Sequence, residues 1–123
     1  MAEAILQSLA PWAEVSSAGL YAAEGAPASR HALLAMDEMG LDISGHRSRL
    51  FRPEMARGAL VLAMTRSHAR ALRSLCPDAR VELFLGDEDV PDPFGMGMEA
   101  YERTARTLYE GAQALLARLG RER

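Results

Sequence analysis

An α/β fold built on a parallel sheet is the architecture this chain predicts, and three features predict it. Helical and strand-like stretches alternate in the order α, β, α, β, α, β, α, and strands separated by helices imply right-handed crossovers between parallel neighbours. Residues 59–64, Ala-Leu-Val-Leu-Ala-Met, form an unbroken apolar run, the pattern of a strand covered on both faces. The last stretch instead spaces Met98, Tyr101, Ala105, Leu108, Ala112, Leu115 and Leu119 at alternating intervals of three and four, which is one face of a helix. The same spacing would suit a coiled-coil seam, but the flanking positions carry no clear charge pairing, so a core-facing helix is expected.

The elements follow in order. Met1, Ile5 and Leu9, with Ala4 and Leu6 beside them, mark one face of a first helix over residues 1–10. No capping Ser, Thr, Asp or Asn stands ahead of it, so the chain is expected to open inside a helix. Val15 to Gly19 is expected to form a short strand. Pro27 suits the first position of the next helix, which should run to about Met39 and stop at Gly40 in a left-handed conformation. Residues 41–49 are expected to be extended with a turn at Gly45, and Pro53 to Arg57 to form a brief helix. After the apolar strand, Thr65 can cap a helix that ends before Pro77. Val81 to Leu85 is the next expected strand. An Asp- and Pro-rich loop from Gly86 to Gly95 then leads into the final helix.

Composition narrows the function classes. The 123 residues are 49% hydrophobic and 25% charged, which suits one ordinary globular domain. No apolar run is long enough for a membrane span and no stretch resembles a signal peptide, so no membrane role and a cytoplasmic location are expected. The net charge of -3 gives no broad electrostatic case for nucleic acid. All fourteen basic residues are arginine, which fits coding bias in a GC-rich genome and carries no mechanism. The single cysteine, Cys76, cannot make an internal disulfide or a cysteine-rich metal site. No metal and no cofactor are expected; Asp87, Glu88 and Asp89 cluster in one loop, but clustered surface acids are usually solvated. His31 and His68 read as surface positions on helices.

Four segments carry a resemblance. They are Met-Ala-Glu-Ala-Ile-Leu at 1–6, Ser-Ala-Gly at 17–19, Gly-His-Arg-Ser-Arg at 45–49 and Asp-Pro-Phe-Gly at 92–95. In this order and separation, with Leu-Val-Leu-Ala-Met-Thr at 60–65, they resemble the low-molecular-weight protein tyrosine phosphatase family over the whole chain. The resemblance implies a flavodoxin-like parallel sheet with helices on both faces. It also implies a first, central strand running into a phosphate-binding loop, Cys-x5-Arg followed by Ser-Pro, ahead of the helix that opens here. That strand and loop are not among these residues. The expectation is therefore a domain lacking its central strand, with neither nucleophile nor phosphate-binding arginine, and inactive as written.

The loop matters because backbone N–H groups and a helix N-terminus hold the phosphoryl dianion, a thiolate attacks phosphorus, and an arginine fork spreads the transition-state charge. Cys76 does not supply it: Pro77, Asp78, Ala79 and Arg80 follow at the wrong spacing, and it ends a helix. Among the residues present, the resemblance gives Asp92 the role of general acid and then base, stiffened by Pro91 and Pro93; on its own, Asp-Pro also reads as a turn opener. It places Phe94 on the substrate rim, where packing is the alternative. It gives Ser17 and His46 the task of hydrogen-bonding the phosphate loop, a satisfied loop histidine being the alternative for His46. Asp-Pro-Phe-Gly and Ala-Met-Thr at 63–65 are closer to the bacterial branch containing protein arginine phosphatases. Gly95 stands where tyrosine phosphatases often have a second aromatic, and that favours phosphoarginine slightly. The partner implied is a phosphorylated protein substrate. A non-catalytic paralogue serving as a partner-binding module is the other reading, and self-association through unpaired strand edges is expected.

Overall fold

The computed structural model describes residues 1–121. Helix α1 spans Ala2–Leu9, α2 Arg30–Glu38, α3 Arg66–Leu75 and α4 Met98–Arg121; strands β1, Leu60–Ala63, and β2, Arg80–Leu83, pair in parallel, and Pro53–Ala56 make a 3-10 turn. The register sets Leu60 against Arg80 and Ala63 against Leu83. The crossover between them is α3, as the alternation of elements requires.

Local chemistry accounts for most boundaries. Ser29 caps α2, its hydroxyl accepting from the Ala32 N–H at 3.2 Å, and Thr65 caps α3 by accepting from the His68 N–H at 3.1 Å. At the end of α2, Gly40 adopts φ +74°, its N–H donates to the Asp37 carbonyl, and the Leu41 N–H reaches back to Met36. Those two bonds make a Schellman stop, which needs a residue without a Cβ. Pro27 does not open α2. It bridges to Arg47 instead, and the helix waits for the serine cap, which satisfies an N–H that a proline at the first turn leaves open. The 15–19 segment is the larger departure. It forms no strand among the described residues, because a strand requires a ladder partner and only Gly19 finds one. Gly19 donates to Arg49 and accepts from Phe51, at 2.8 Å each, in an isolated parallel bridge to Leu50. Gln7 holds the start of this segment, donating to the Ala10 and Ala13 carbonyls and accepting from the Val15 N–H.

The sheet is covered on both faces by separate apolar clusters. On one, α1, α2 and α4 enclose Ile5, Met36, Phe84, Leu108 and Leu115, with Leu62 and Met64 against them. On the other, Ala69 and Leu72 of α3 pack on Ala63 and Val81, with Val61 and Leu83 alongside. Successive residues of β1 thus serve opposite clusters, which is why the run is apolar throughout. The final helix is core-facing: Tyr101, Ala105, Leu108, Ala112 and Leu115 are buried, and α4 packs against both α1 and α2. His31 is not a simple surface residue, since its ring is half-buried and tilted against Tyr101 at 5.3 Å. His68 is exposed.

The weak place is the outer edge of β1, whose Leu60 and Leu62 backbone groups have no strand beside them among the described residues. A buried central strand with several apolar side chains contributes on the order of 10 kcal/mol, against about 5–15 kcal/mol for a whole domain. These 123 residues alone should therefore melt broadly by circular dichroism or aggregate. A fusion placing a family-type first strand and loop ahead of Met1 should melt sharply. A sharp melt from a monomeric sample of the 123 residues would show that the β1 edge is not limiting.

Candidate functional site

Parallel pairing brings the C-terminal ends of β1 and β2 to the same side of the sheet, and ligands of such sheets bind at that side. From there β2 leads through Gly86 into the acidic loop, and β1 leads through Thr65 into α3. The two exits are fastened together. The Val90 N–H donates to the Met64 carbonyl at 2.8 Å. An Asp89 carboxylate oxygen accepts from the Arg66 N–H at 2.9 Å and lies 3.6 Å from the Arg66 guanidinium. The same guanidinium donates to the Asp87 carbonyl. Asp89 thus satisfies a backbone donor of the first turn of α3 from another loop, and its negative charge suits a helix N-terminus.

This fastening presents Asp92. Its carboxylate is exposed, and one oxygen accepts from the Phe94 N–H at 3.0 Å. That is an Asx turn, so the turn suggested by Asp-Pro and an exposed carboxylate occur in the same residue. Pro93 and the Gly95 φ of +78° complete the bend. Phe94 is 81% exposed, which rules out core packing within the described residues and leaves a bare ring beside the acid.

Ser17 and His46 lie on the stretch that Gly19 joins to Leu50. The Ser17 hydroxyl donates to Glu3 of α1 at 2.8 Å, and the Ser17 carbonyl accepts from Arg49 at 3.2 and 3.3 Å. This ties the start of α1 to the segment carrying Gly-His-Arg-Ser-Arg. His46 is half-buried; its backbone N–H donates to Ile43 and its carbonyl accepts from Arg47. Ahead of it, Asp42 receives the Ser44 N–H at 2.8 Å, and hydrogen bonding to Ser44 holds its carboxyl below the usual range. Behind it, Ser48 is knitted to the 23–26 loop, accepting from the Ala26 N–H and donating to the Ala23 carbonyl. Among the described residues, no hydrogen bond or ion pair joins Ser17 or His46 to Asp92.

Cys76 sits half-buried where α3 ends. That is the end of the sheet opposite Asp92, because α3 begins where β1 finishes. Asp89, expected to be one of a cluster of solvated acids, is instead bonded to Arg66, and sequence reasoning gave no role to Arg66 or Glu3. Their spacing, 23 residues from Arg66 to Asp89 and 14 from Glu3 to Ser17, leaves no local pattern to find.

Comparison with known proteins identifies the family and the fold. The family described as low molecular weight phosphotyrosine protein phosphatase matches residues 1–123. A protein-arginine-phosphatase of Geobacillus stearothermophilus is 37% identical, over 86% of this chain and 76% of its own length. A probable low molecular weight protein-tyrosine-phosphatase, EpsP of Ralstonia solanacearum, is 32% identical over 97% and 86%. The crystal structure of a low molecular weight protein tyrosine phosphatase from T. tengcongensis superposes with a TM-score of 0.89 at 38% identity, covering 95% of this chain and 88% of that one. The fold is the flavodoxin-like one of these relatives, with helices on both faces of a parallel sheet, and the chain belongs to the low molecular weight phosphotyrosine protein phosphatase family.

Proposed function

We propose that these residues form the acid-bearing side of a protein phosphatase that works through a cysteinyl-phosphate intermediate, with Asp92 as general acid and base. The observation that carries this reading is an exposed carboxylate in an Asx turn, on a loop fastened to the exits of both strands. In the first step a thiolate bonds to phosphorus, the bond to the leaving oxygen or nitrogen breaks, and the Asp92 proton goes to the leaving atom. In the second, water attacks phosphorus, gives its proton to the Asp92 carboxylate, and the thiolate departs. The exposed Phe94 ring forms the rim of the substrate cleft, and Ser17 and His46 support the phosphate loop. The 123 residues contain one cysteine, Cys76, on the wrong side of the sheet, so on their own they turn over no substrate. Phosphoarginine is favoured over phosphotyrosine because Gly95 follows Phe94 in place of a second aromatic.

A second reading, a non-catalytic partner-binding module, draws on the outer edge of β1, which no strand flanks among the described residues. It requires a strand from a partner or from another copy. Light scattering that finds only monomer under native conditions counts against the self-paired form.

In the fusion carrying a family-type strand and Cys-x5-Arg loop, a phosphoarginine peptide and a phosphotyrosine peptide should be compared as substrates. Asp92→Ala should lower kcat by about 10²–10⁴-fold, and unchanged kcat would remove Asp92 from the mechanism. Asp89→Asn, which weakens the tether without touching the substrate, should lower kcat by about tenfold while leaving KM nearly constant. A rise in KM alone would mean that Asp89 binds substrate and does not position the acid.

A further inference from the structure

An open groove of about 700 Å³ runs along the outer edge of β2, and none of Asp92, Phe94, Ser17 or His46 lines it. Four arginines do, Arg66, Arg70 and Arg73 from α3 and Arg118 from α4, against one lining acid, Glu82; Arg66 is already paired with Asp89 of the neighbouring loop, so the free charge lies with Arg70 and Arg73. The α3 residues fall at i, i+4 and i+7, one stripe of the helix. Glu82 is already engaged by Arg80 at 2.6 Å, and Arg118 approaches it only to 3.5 Å. The Arg118 nitrogen that faces Glu82, Nη2, is buried and makes no hydrogen bond among the described residues, so Glu82 holds it by charge alone. Arg70 is exposed and has no ion pair among the described residues. Gly86 makes room for this arrangement, since a Cβ there would lie 3.1 Å from the Arg118 guanidinium.

The strand edge has the same bias. Phe84 donates inward to Ala63, so by alternation Val81 and Leu83 turn their backbone groups outward. The Val81 carbonyl is taken by Arg73 at 3.0 Å and the Leu83 carbonyl by the Gly86 N–H at 3.0 Å. With both outward carbonyls occupied, the edge offers donors and no acceptors. An added strand would need both. A row of carboxylates needs only donors, and planar guanidinium forks match them. We propose that the arginine-lined edge of β2 docks an acidic, carboxylate-rich segment of a partner protein. A protein segment is favoured over nucleic acid because the chain is negative overall and no aromatic ring lines the groove for base stacking.

This inference does not rest on the phosphatase reading, and binding alone tests it. Fluorescence anisotropy with a labelled hexaglutamate peptide, a hexaglutamine control and an oligothymidylate should be run on the 123-residue chain and on the sheet-completed fusion in parallel. The expected result is saturable hexaglutamate binding that weakens with added salt, little hexaglutamine binding, and a loss of about threefold from each of Arg70→Gln and Arg73→Gln. Arg106→Gln, on the exposed side of α4 outside the groove, should leave affinity unchanged. The Arg70 side chain makes no hydrogen bond or ion pair among the described residues, so its replacement stays decisive even if Arg73→Gln unsettles the strand edge. Equal binding of hexaglutamine, an equal loss from Arg106→Gln, or tighter binding of oligothymidylate than of hexaglutamate would each overturn the proposal.

Discussion

Four residues of parallel pairing, Leu60–Ala63 against Arg80–Leu83, govern nearly everything else in this chain. Because the strands run the same way, the turn into α3 and the acidic loop leave the sheet side by side. Only that adjacency allows Asp89 to reach the Arg66 N–H and Val90 to reach Met64. The apolar clusters on the two faces keep the ladder in register, since a slip of one residue would swap Val61 and Ala63 with Leu62 and Met64 between clusters. The position of Asp92 is therefore a consequence of packing far from it, and the loop's own prolines add stiffness to a placement already made.

Much of this was legible in the sequence wherever one local rule decided the outcome. The Thr65 cap, the Gly40 stop, the apolar run of β1 and the core face of α4 each depend on neighbours within a turn or two. What the sequence concealed depends on distant partners. Val15 to Gly19 has strand-like residues, yet strand formation needs a ladder that its neighbours supply only at Gly19. Pro27 has the right geometry for a helix start, but pairing with Arg47 claimed it. The ring contact of His31 with Tyr101 is set by how α2 crosses α4. Asp92 and Phe94 were visible as a motif, whereas the tether that presents them, Asp89 to Arg66, spans 23 residues and leaves no periodic trace.

Arginine serves three different physical tasks here. Arg66 closes a loop by combining a backbone bond, an ion pair and a carbonyl contact. Arg49 spans two segments through the Ser17 carbonyl. Arg73 satisfies a strand carbonyl. Each is a hydrogen-bonding task first and a charge task second, and a planar fork with several donors performs it better than an ammonium would. A surface whose cations are all arginine can therefore brace its own backbone with the same groups that face solvent.

Arg73 and Gly86 occupy the outward carbonyls of β2, so the two rims of one short ladder differ in kind. The rim of β2 is sealed by donors from the chain itself, whereas that of β1 has no strand beside it among the described residues. A residue change at Arg73 would thus expose a backbone acceptor on a rim that is otherwise inert to strand addition.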